Sequence, residues 1–461
     1  MLLFIIVIMT SKLAQTNGNL LIQYINDENI GRSLELLKQK EIDLSVVDED
    51  GYTPLLSACN NNNIEIADKI LDDPNCFPDI CDFEGFTPLL LSIKNNCDYI
   101  TNKILDKYPN NCGINIITRF SEHVIMYALS KKKFKIALKM LDIGLTKMGI
   151  QSTSEKSLGK TSFMFAVDSK QYAIVDKFIE LDHVAQDVIH TPTKKTILQF
   201  CLSHKYEEEM ESIVLKIIDK YKDDIDLNNV DIDGNTALYL SIHNGYKKII
   251  LKLLENNSIK KSINEKCLRD AIYKEMKDIA ELFLPYLSDV ELTPDILRVA
   301  LDSGLEDIAI KLIQRDPDEN YISHIDTNFD RTMLMISIGY KYEKCSLLLL
   351  DNKNIDISHV SKIFKTTLQH ACVTSQDNIK ETIMKIYETN IQKISMEAIL
   401  ADFSYFITNK NIKMIKWLYN VTKNKINKNN YKKILETLKY HNIDKNYVFD
   451  VTFNDDVCTI S

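Results

Sequence analysis

Glycine and proline are scarce in this sequence, with 12 and 9 residues among 461. Both residues mark turns and interrupt helices, so their scarcity predicts short loops and a high helix content. Hydrophobic residues make up 45% of the chain and charged residues 26%, which is typical of a folded protein rather than a disordered one. The length fits about three ordinary domains or one elongated array.

Motifs for metal binding and catalysis are also missing. The cysteines form no C-x-x-C pair, and the nine histidines form no cluster at metal-ligand spacing. Cysteines such as Cys59, Cys201 and Cys372 lie within apolar helical patterns, which indicates buried free thiols and a reducing compartment. No G-x-S-x-G, H-E-x-x-H or kinase motif occurs. We therefore predict no enzyme activity, no metal site and no cofactor.

The chain has fewer basic than acidic residues, with 56 lysines and arginines and 65 aspartates and glutamates, which gives a net charge of −9. A nucleic-acid binder neutralises phosphates, so an acidic chain would need a local basic stripe. The basic runs Lys131–Lys135 and Lys423–Lys433 are interpreted as a solvated helix-turn face and a linker. We predict no nucleic-acid partner.

Long apolar runs are missing as well, apart from LLFIIVIM at Leu2–Met9. This run is far shorter than the roughly 20 residues that cross a bilayer. It also lacks the basic flank and the small-residue cleavage site of a signal peptide. We predict a cytoplasmic protein without a membrane partner, and a signal or anchor segment stays open as the alternative.

The triplet Gly159-Lys160-Thr161 matches the end of a phosphate-binding loop. The full motif, G-x-x-x-x-G-K-[ST], needs another glycine five residues before Gly159 and a buried strand ahead of it. Ser154 stands at that position, and the preceding residues are polar. We interpret the triplet as a turn of the repeat described next and predict no nucleotide binding.

An internal repeat runs through most of the chain. Three segments align without gaps over their first half: DEDGYTPLLSACNNNNIEIADKIL (Asp48–Leu71), DFEGFTPLLLSIKNNCDYITNKIL (Asp82–Leu105) and DIDGNTALYLSIHNGYKKIILKLL (Asp231–Leu254). Weaker copies follow the same plan of a short apolar helix, a polar turn and a second amphipathic helix. Neither helix buries its apolar stripe alone, so stacked units must share one core, which predicts a solenoid.

The pattern D-x-x-G-x-T-P-L, followed by a small residue, a turn and a second helix ending in Leu-Leu, resembles the ankyrin repeat. The best matches contain Gly51, Gly85 and Gly234. The resemblance covers residues 19–420 and implies an all-α, ankyrin-type α-solenoid of about 11–12 helix-turn-helix repeats with short β-hairpin fingers. An apolar segment, residues 1–18, precedes this array, and a basic linker, a capping helix and a tail, residues 421–461, follow it.

The motif residues have clear physical roles within this resemblance. Glycine permits positive φ in the finger turn, threonine caps the following helix, and proline suits the first helical position. These predicted turn residues are Gly51, Thr53, Pro54, Gly85, Thr87, Pro88, Gly234 and Thr236.

The sequence departs from the family pattern in two respects. The histidine that often follows T-P-L is replaced by Leu56, Leu90 and Tyr239. The units near Lys266 and Asp295 lack D-x-x-G, so their fingers are expected to be missing, and a generic stack of helical hairpins is the alternative there.

The resemblance implies a non-enzymatic, monomeric scaffold that binds a protein partner, of unknown identity, along the concave face of the solenoid. Finger tips and first helices would supply the contacts. The predicted contact residues are Glu49, Tyr52, Glu84, Phe86, Asp233 and Asn235 on the tips, and Asn61, Asn95, His243 and Asn244 on the helices. Tyr52 and Phe86 are expected to be exposed aromatic anchors.

Three other functions stay open. Long arrays of large DNA viruses and AT-rich eukaryotes are similar to this one, so the chain is alternatively an adaptor for host manipulation or protein degradation, located in the host cytoplasm if viral. Residues 430–461 show no clear recruiting module for that role. A membrane-anchored or secreted repeat protein using residues 2–9, and an enzyme with its site in the eroded middle units, are the remaining alternatives.

Overall fold

The computed structural model describes residues 2–39, 41–144, 159–184, 190, 192–221, 223–287, 292–293, 295–315, 322–352, 355–362 and 365–448. These residues fall into two compact units, one up to Ser262 (unit 1) and one from Ile263 onward (unit 2). Both units consist of pairs of short helices joined by tight turns. The prediction of an all-α stack of helix pairs is confirmed.

Unit 1 has seven helix pairs in its described part. Their helices are α1 (Leu2–Asn26), α2 (Ile30–Leu36), α3 (Pro54–Asn60), α4 (Ile64–Asp72), α5 (Pro88–Lys94), α6 (Asp98–Lys107), α7 (Val124–Ser130), α8 (Phe134–Ile143), α9 (Ser162–Asp168), α10 (Tyr172–Glu180), α11 (Ile197–Leu202), α12 (Glu208–Tyr221), α13 (Ala237–Asn244) and α14 (Lys247–Leu254), with a 3₁₀ helix at Ile259–Ser262. Each first helix packs against the first helix of the next pair, and each second helix packs against the next second helix. This is the stacking that the repeat predicts.

Unit 2 continues the same plan. Its helices are α15 (Glu265–Tyr273), α16 (Lys277–Phe283), α17 (Asp295–Asp302), α18 (Glu306–Arg315), α19 (Met333–Gly339), α20 (Glu343–Leu350), α21 (Thr367–Thr374), α22 (Asp377–Asn390), α23 (Met396–Thr408), α24 (Ile412–Thr422), α25 (Lys428–Tyr440) and α26 (Lys445–Val448), with 3₁₀ helices at Leu284–Leu287 and Ile391–Lys393. The strands β1 (Ile325–Asp326) and β2 (Arg331–Thr332) form one antiparallel hairpin. Successive first helices again pack against each other.

A threonine side chain caps most first helices. Thr53 Oγ1 accepts a hydrogen bond from the Leu56 N–H at 3.2 Å, and Pro54 occupies the first helical turn. Such a cap contributes about 1 kcal/mol to helix stability. The same bond forms at Thr87, Thr161, Thr196, Thr236, Thr332 and Thr366.

Small side chains allow the paired helices to approach closely. Six alanines that the repeat aligns after the capping residue are completely buried: Ala58, Ala128, Ala166, Ala271, Ala300 and Ala371. The leucines that open the first helices, Leu55 and Leu89, are 2% and 0% exposed. Truncating such a leucine to alanine would cost about 2–5 kcal/mol.

The termini of the array differ in detail from the predicted boundaries. Helix α1 runs through the boundary expected at residue 18, and Gly18 within it lets the loop at Asp43 come close. A Cβ at Gly18 would lie 2.3 Å from the Asp43 carbonyl oxygen. At the other end, most of the expected basic linker is helical, since Asn427 caps α25 at Lys428. The tail after Val448 lies outside the described residues.

Candidate protein-binding surface

Three fingers in unit 1 are tight turns that an aspartate organises. Asp48 Oδ1 accepts the N–H groups of Asp50 and Tyr52 at 3.1 and 2.8 Å. Gly51 follows with φ of +83°, and the Asp48 N–H closes the turn on the Tyr52 carbonyl at 3.1 Å. The turns at Asp82 and Asp231 repeat these bonds. The turn closes within five residues, which leaves little length for hydrogen-bonded β-strands. Among the described residues, only β1 and β2 in unit 2 are strands.

Neighbouring fingers contact one another directly. A Cβ at Gly51 would lie 3.1 Å from the ring of Phe83 in the next finger, so glycine is favoured there by this tight contact as well as by its positive φ. The Arg119 N–H donates to the Glu84 carbonyl at 2.9 Å, and the Arg119 guanidinium pairs with the Glu84 carboxylate at 2.5 Å. The first three fingers therefore form one packed surface.

The expectation that Phe86 is an exposed anchor is wrong. Phe86 is only 5% exposed and packs edge-on against Tyr127 with ring centroids 6.5 Å apart. The Lys94 ammonium lies 4.6 Å from the centre of its ring. The residue after the turn glycine points towards the helices, so Tyr52 and Asn235 at the same position are half-buried too.

The residue after the aspartate is exposed in each of these three fingers. Phe83 is 73% exposed and Ile232 62% exposed, and neither was predicted. Val47 and Val230, which stand just before the aspartates, are exposed as well. Phe83 directly follows the finger aspartate, and Phe86, at the inward Tyr52 position, lies three residues later, so the place of each residue relative to the aspartate was the signal available in the sequence.

The finger tips also carry negative charge. Glu49, Asp50 and Asp233 are exposed, and none forms an ion pair within the described part of the chain. The pKa of Tyr52 is raised, first by burial and then by the nearby carboxylates of Asp82, Glu84 and Asp50. Of the predicted tip residues, Glu49 and Asp233 are therefore accessible, whereas Glu84 is paired with Arg119.

The asparagines predicted on the first helices hold the repeats together. Asn95 Nδ2 donates to the carbonyls of Cys59 and Asn60 in the preceding repeat, at 2.9 and 3.0 Å. Asn61 donates to Ile25 and Asn244 to Leu202 in the same way. These amides satisfy carbonyls that every helix leaves unpaired at its C-terminus. His243 is exposed and stacks on Tyr239.

Comparison with known proteins identifies the repeat. A family model of ankyrin repeats, in three copies, matches residues 21–119 and 163–267. These two segments are ankyrin repeats. A similar solved structure is that of EF0377, an ankyrin repeat protein that is 22% identical, with the match covering 44% of this chain and 96% of that one at a TM-score of 0.33. No curated protein matches the chain.

Neighbouring second helices in unit 1 are linked by ion pairs between lysines and aspartates. Lys103 Nζ lies 2.6 Å from Asp68 in the preceding second helix, and Lys139 lies 2.7 Å from Asp106. The same contact recurs at Lys177–Asp142, Lys216–Asp176 and Lys252–Asp219. Each exposed pair contributes at most about 1 kcal/mol. Its main consequence is that this helical surface offers little net charge to a partner.

No group of three or more histidine, cysteine or acidic side chains could hold a metal ion in the described ranges. Burial raises the pKa of the Cys201 thiol to about 12, which keeps it protonated and unreactive. Lys160 Nζ binds Asp168 at 2.5 Å, and Thr161 caps α9, so the triplet at 159–161 serves a repeat turn.

The helices of the described chain include none with the length and apolar character required to cross a membrane. The apolar run Leu2–Met9 is the first part of α1.

Proposed function

We propose that this chain is a non-enzymatic scaffold that binds a protein partner through the finger tips of unit 1. Ankyrin repeats generally mediate protein–protein interactions. The partner surface that fits these tips is apolar, with basic side chains around it. Five exposed side chains would carry the contact, and we call them the tip residues: Val47, Glu49, Phe83, Val230 and Ile232.

The exposure of Phe83 is the observation that carries this proposal. Its ring is 73% exposed, whereas Phe86, three residues later, is 5% exposed within the fold. Covering an aromatic side chain contributes about 1.5–3 kcal/mol, and aromatic residues are enriched among the residues that dominate interface energies. An aromatic ring on a rigid, glycine-dependent turn is also presented with little loss of conformational entropy on binding.

Charge supports a partner with basic residues at this surface. Glu49 and Asp50 flank the turn next to Phe83 and have no cation within the described ranges. Charges at the rim of an interface mainly accelerate association and select the partner, so they complement the apolar contact of Phe83.

Proximity labelling with the full chain in its native cell tests the proposal. The double variant Phe83→Asp with Ile232→Asp should lose the partners that the unmodified chain labels. Leu251→Asp is a matched control, because Leu251 is 51% exposed on α14, away from the fingers. If the double variant labels the same partners as the control, the tip residues do not form the binding surface.

A further inference from the structure

The last described repeats carry a concentration of positive charge that contrasts with the rest of the chain. Residues 410–445, which we call the basic cap, contain ten lysines and two acidic residues. The net charge of this segment is +8, although the whole chain has −9. The cap comprises the end of the α23–α24 turn, helices α24 and α25, and the start of α26.

Most lysines of the basic cap have no acidic partner. Eight of them are exposed and form no ion pair in the described part of the chain: Lys410, Lys413, Lys423, Lys428, Lys432, Lys433, Lys439 and Lys445. Several second-helix lysines of unit 1 are paired instead, since Lys103 and Lys252 each bind a preceding aspartate. The fold can therefore neutralise its lysines, and it does not do so here.

Helix α25 presents a row of these lysines on one face. It buries Ile434 and Leu438, which are 2% and 1% exposed, against the preceding repeat. Lys428, Lys432 and Lys439 fall within about 40° of one another around the helix, on a different face from the buried pair. They span about 16 Å along the axis, since each residue rises 1.5 Å.

We propose that the basic cap binds an acidic polypeptide segment of a partner protein, at a site separate from the finger tips. Three lysines on one rigid helical face match carboxylates spaced along a short helix or strand. Like charges held close together in water repel, so an anionic partner relieves their repulsion as well as adding attraction.

The surroundings favour a short acidic segment over a long polyanion. Residues 263–409, which form the rest of unit 2 before the cap, contain 24 acidic residues and 16 lysines and arginines. A nucleic acid carries phosphate charges along its whole length and would meet this acidic surface beyond the cap. The cap also contains no arginine, the side chain best suited to bidentate phosphate contacts.

Fluorescence anisotropy with the full chain and a labelled twelve-residue glutamate peptide tests this site. The peptide should bind, and raising the salt concentration should weaken it. The triple variant Lys428→Glu, Lys432→Glu, Lys439→Glu should reduce affinity by roughly tenfold or more. Its matched control changes three exposed unit 1 lysines in the same way, Lys69→Glu, Lys131→Glu and Lys135→Glu, and should shift affinity by less than about twofold. Circular dichroism checks folding, and the corresponding Lys→Gln triple variant should show an intermediate loss.

Three further binding measurements test other ligands of the basic cap. Tighter lysine-dependent binding of a twenty-nucleotide single strand, or of vesicles rich in phosphatidylserine, would overturn the proposal in favour of a phosphate polyanion. The chain's own residues 449–461 contain Asp450, Asp455 and Asp456 without a basic residue. If the peptide binds only after these three are changed to asparagine, the tail and not a partner is the occupant. Equal binding by the cap variant and its control would also refute the site.

Discussion

His123 occupies the helix-capping position that threonine holds in seven other repeats, and this substitution should make one repeat sensitive to acid. The imidazole is completely buried, and its Nδ1 accepts the Ile125 N–H at 3.4 Å. Burial lowers the pKa of His123 from 6.5 to about 4, and a backbone hydrogen bond with Ile114 opposes this shift in part. The folded protein therefore keeps His123 neutral.

The sign of the effect follows from proton linkage. The unfolded chain binds a proton at His123 below pH 6.5, whereas the folded chain does so only near pH 4, so unfolding takes up a proton in this window. The stabilising contribution is complete above pH 6.5 and is lost as pH falls towards 4. At pH 5 the loss is about 2 kcal/mol, which corresponds to a roughly 30-fold increase in local opening.

Hydrogen exchange followed by mass spectrometry measures this local opening. Peptides covering α7 and α8 should exchange faster at pH 5.0 than at pH 7.5, after correction for intrinsic rates. The variant His123→Thr restores the cap of the other repeats and should abolish this pH dependence. His243→Thr, at an exposed histidine, should leave it unchanged. If α7 keeps the same pH dependence in His123→Thr, burial of this imidazole is not the cause.

Three further predictions concern the repeats of unit 1, and urea-induced unfolding of the full chain measures each. Asn95→Ala removes two hydrogen bonds to the preceding repeat and should lower the free energy of unfolding by about 1–3 kcal/mol. Asn95→Asp should lower it at least as much, because aspartate keeps the size of the side chain but not its N–H donors. Phe86→Ala should cost about 3–5 kcal/mol, whereas Phe83→Ala should stay within about 0.5 kcal/mol; a similar cost at both positions would contradict the assigned directions of the two rings. Gly51→Ala should cost about 1–2 kcal/mol because of its positive φ and its contact with the next finger, while Gly31→Ala, with open space at its Cβ, should not destabilise.

Much of the proposed binding surface could not be located from the sequence, although the motif residues could. Tyr52 and Phe86 stand out as aromatic residues beside the turn glycine, but the turn directs Phe86 inwards and Phe83 outwards. Asn95 was expected to contact a partner, and its amide instead binds the preceding repeat. Both differences depend on which side of a turn faces a neighbouring repeat, and that neighbour lies about 35 residues away in the chain.

The arrangement of lysines in the basic cap could not be predicted from the sequence either. The lysines between Lys423 and Lys433 were interpreted as a linker because asparagine and lysine dominate the run. The structure instead caps a helix with Asn427, which places the following lysines on a fixed face. A local run of charge indicates solvent exposure, whereas the spacing of the charges in space depends on the helix that carries them.

The sequence by itself determined the repeat, its helix pairs and the residues that start each helix. These features are local, because a threonine cap, a turn glycine and an apolar stripe act within a few residues of one another. Only the tertiary structure decided which finger residues are exposed, which asparagines bind the next repeat and which lysines find an acidic partner. Those outcomes depend on the surface of the adjacent repeat. The repeats share the residues that maintain the backbone stacking, but their other residues differ, so each side chain has a different neighbour.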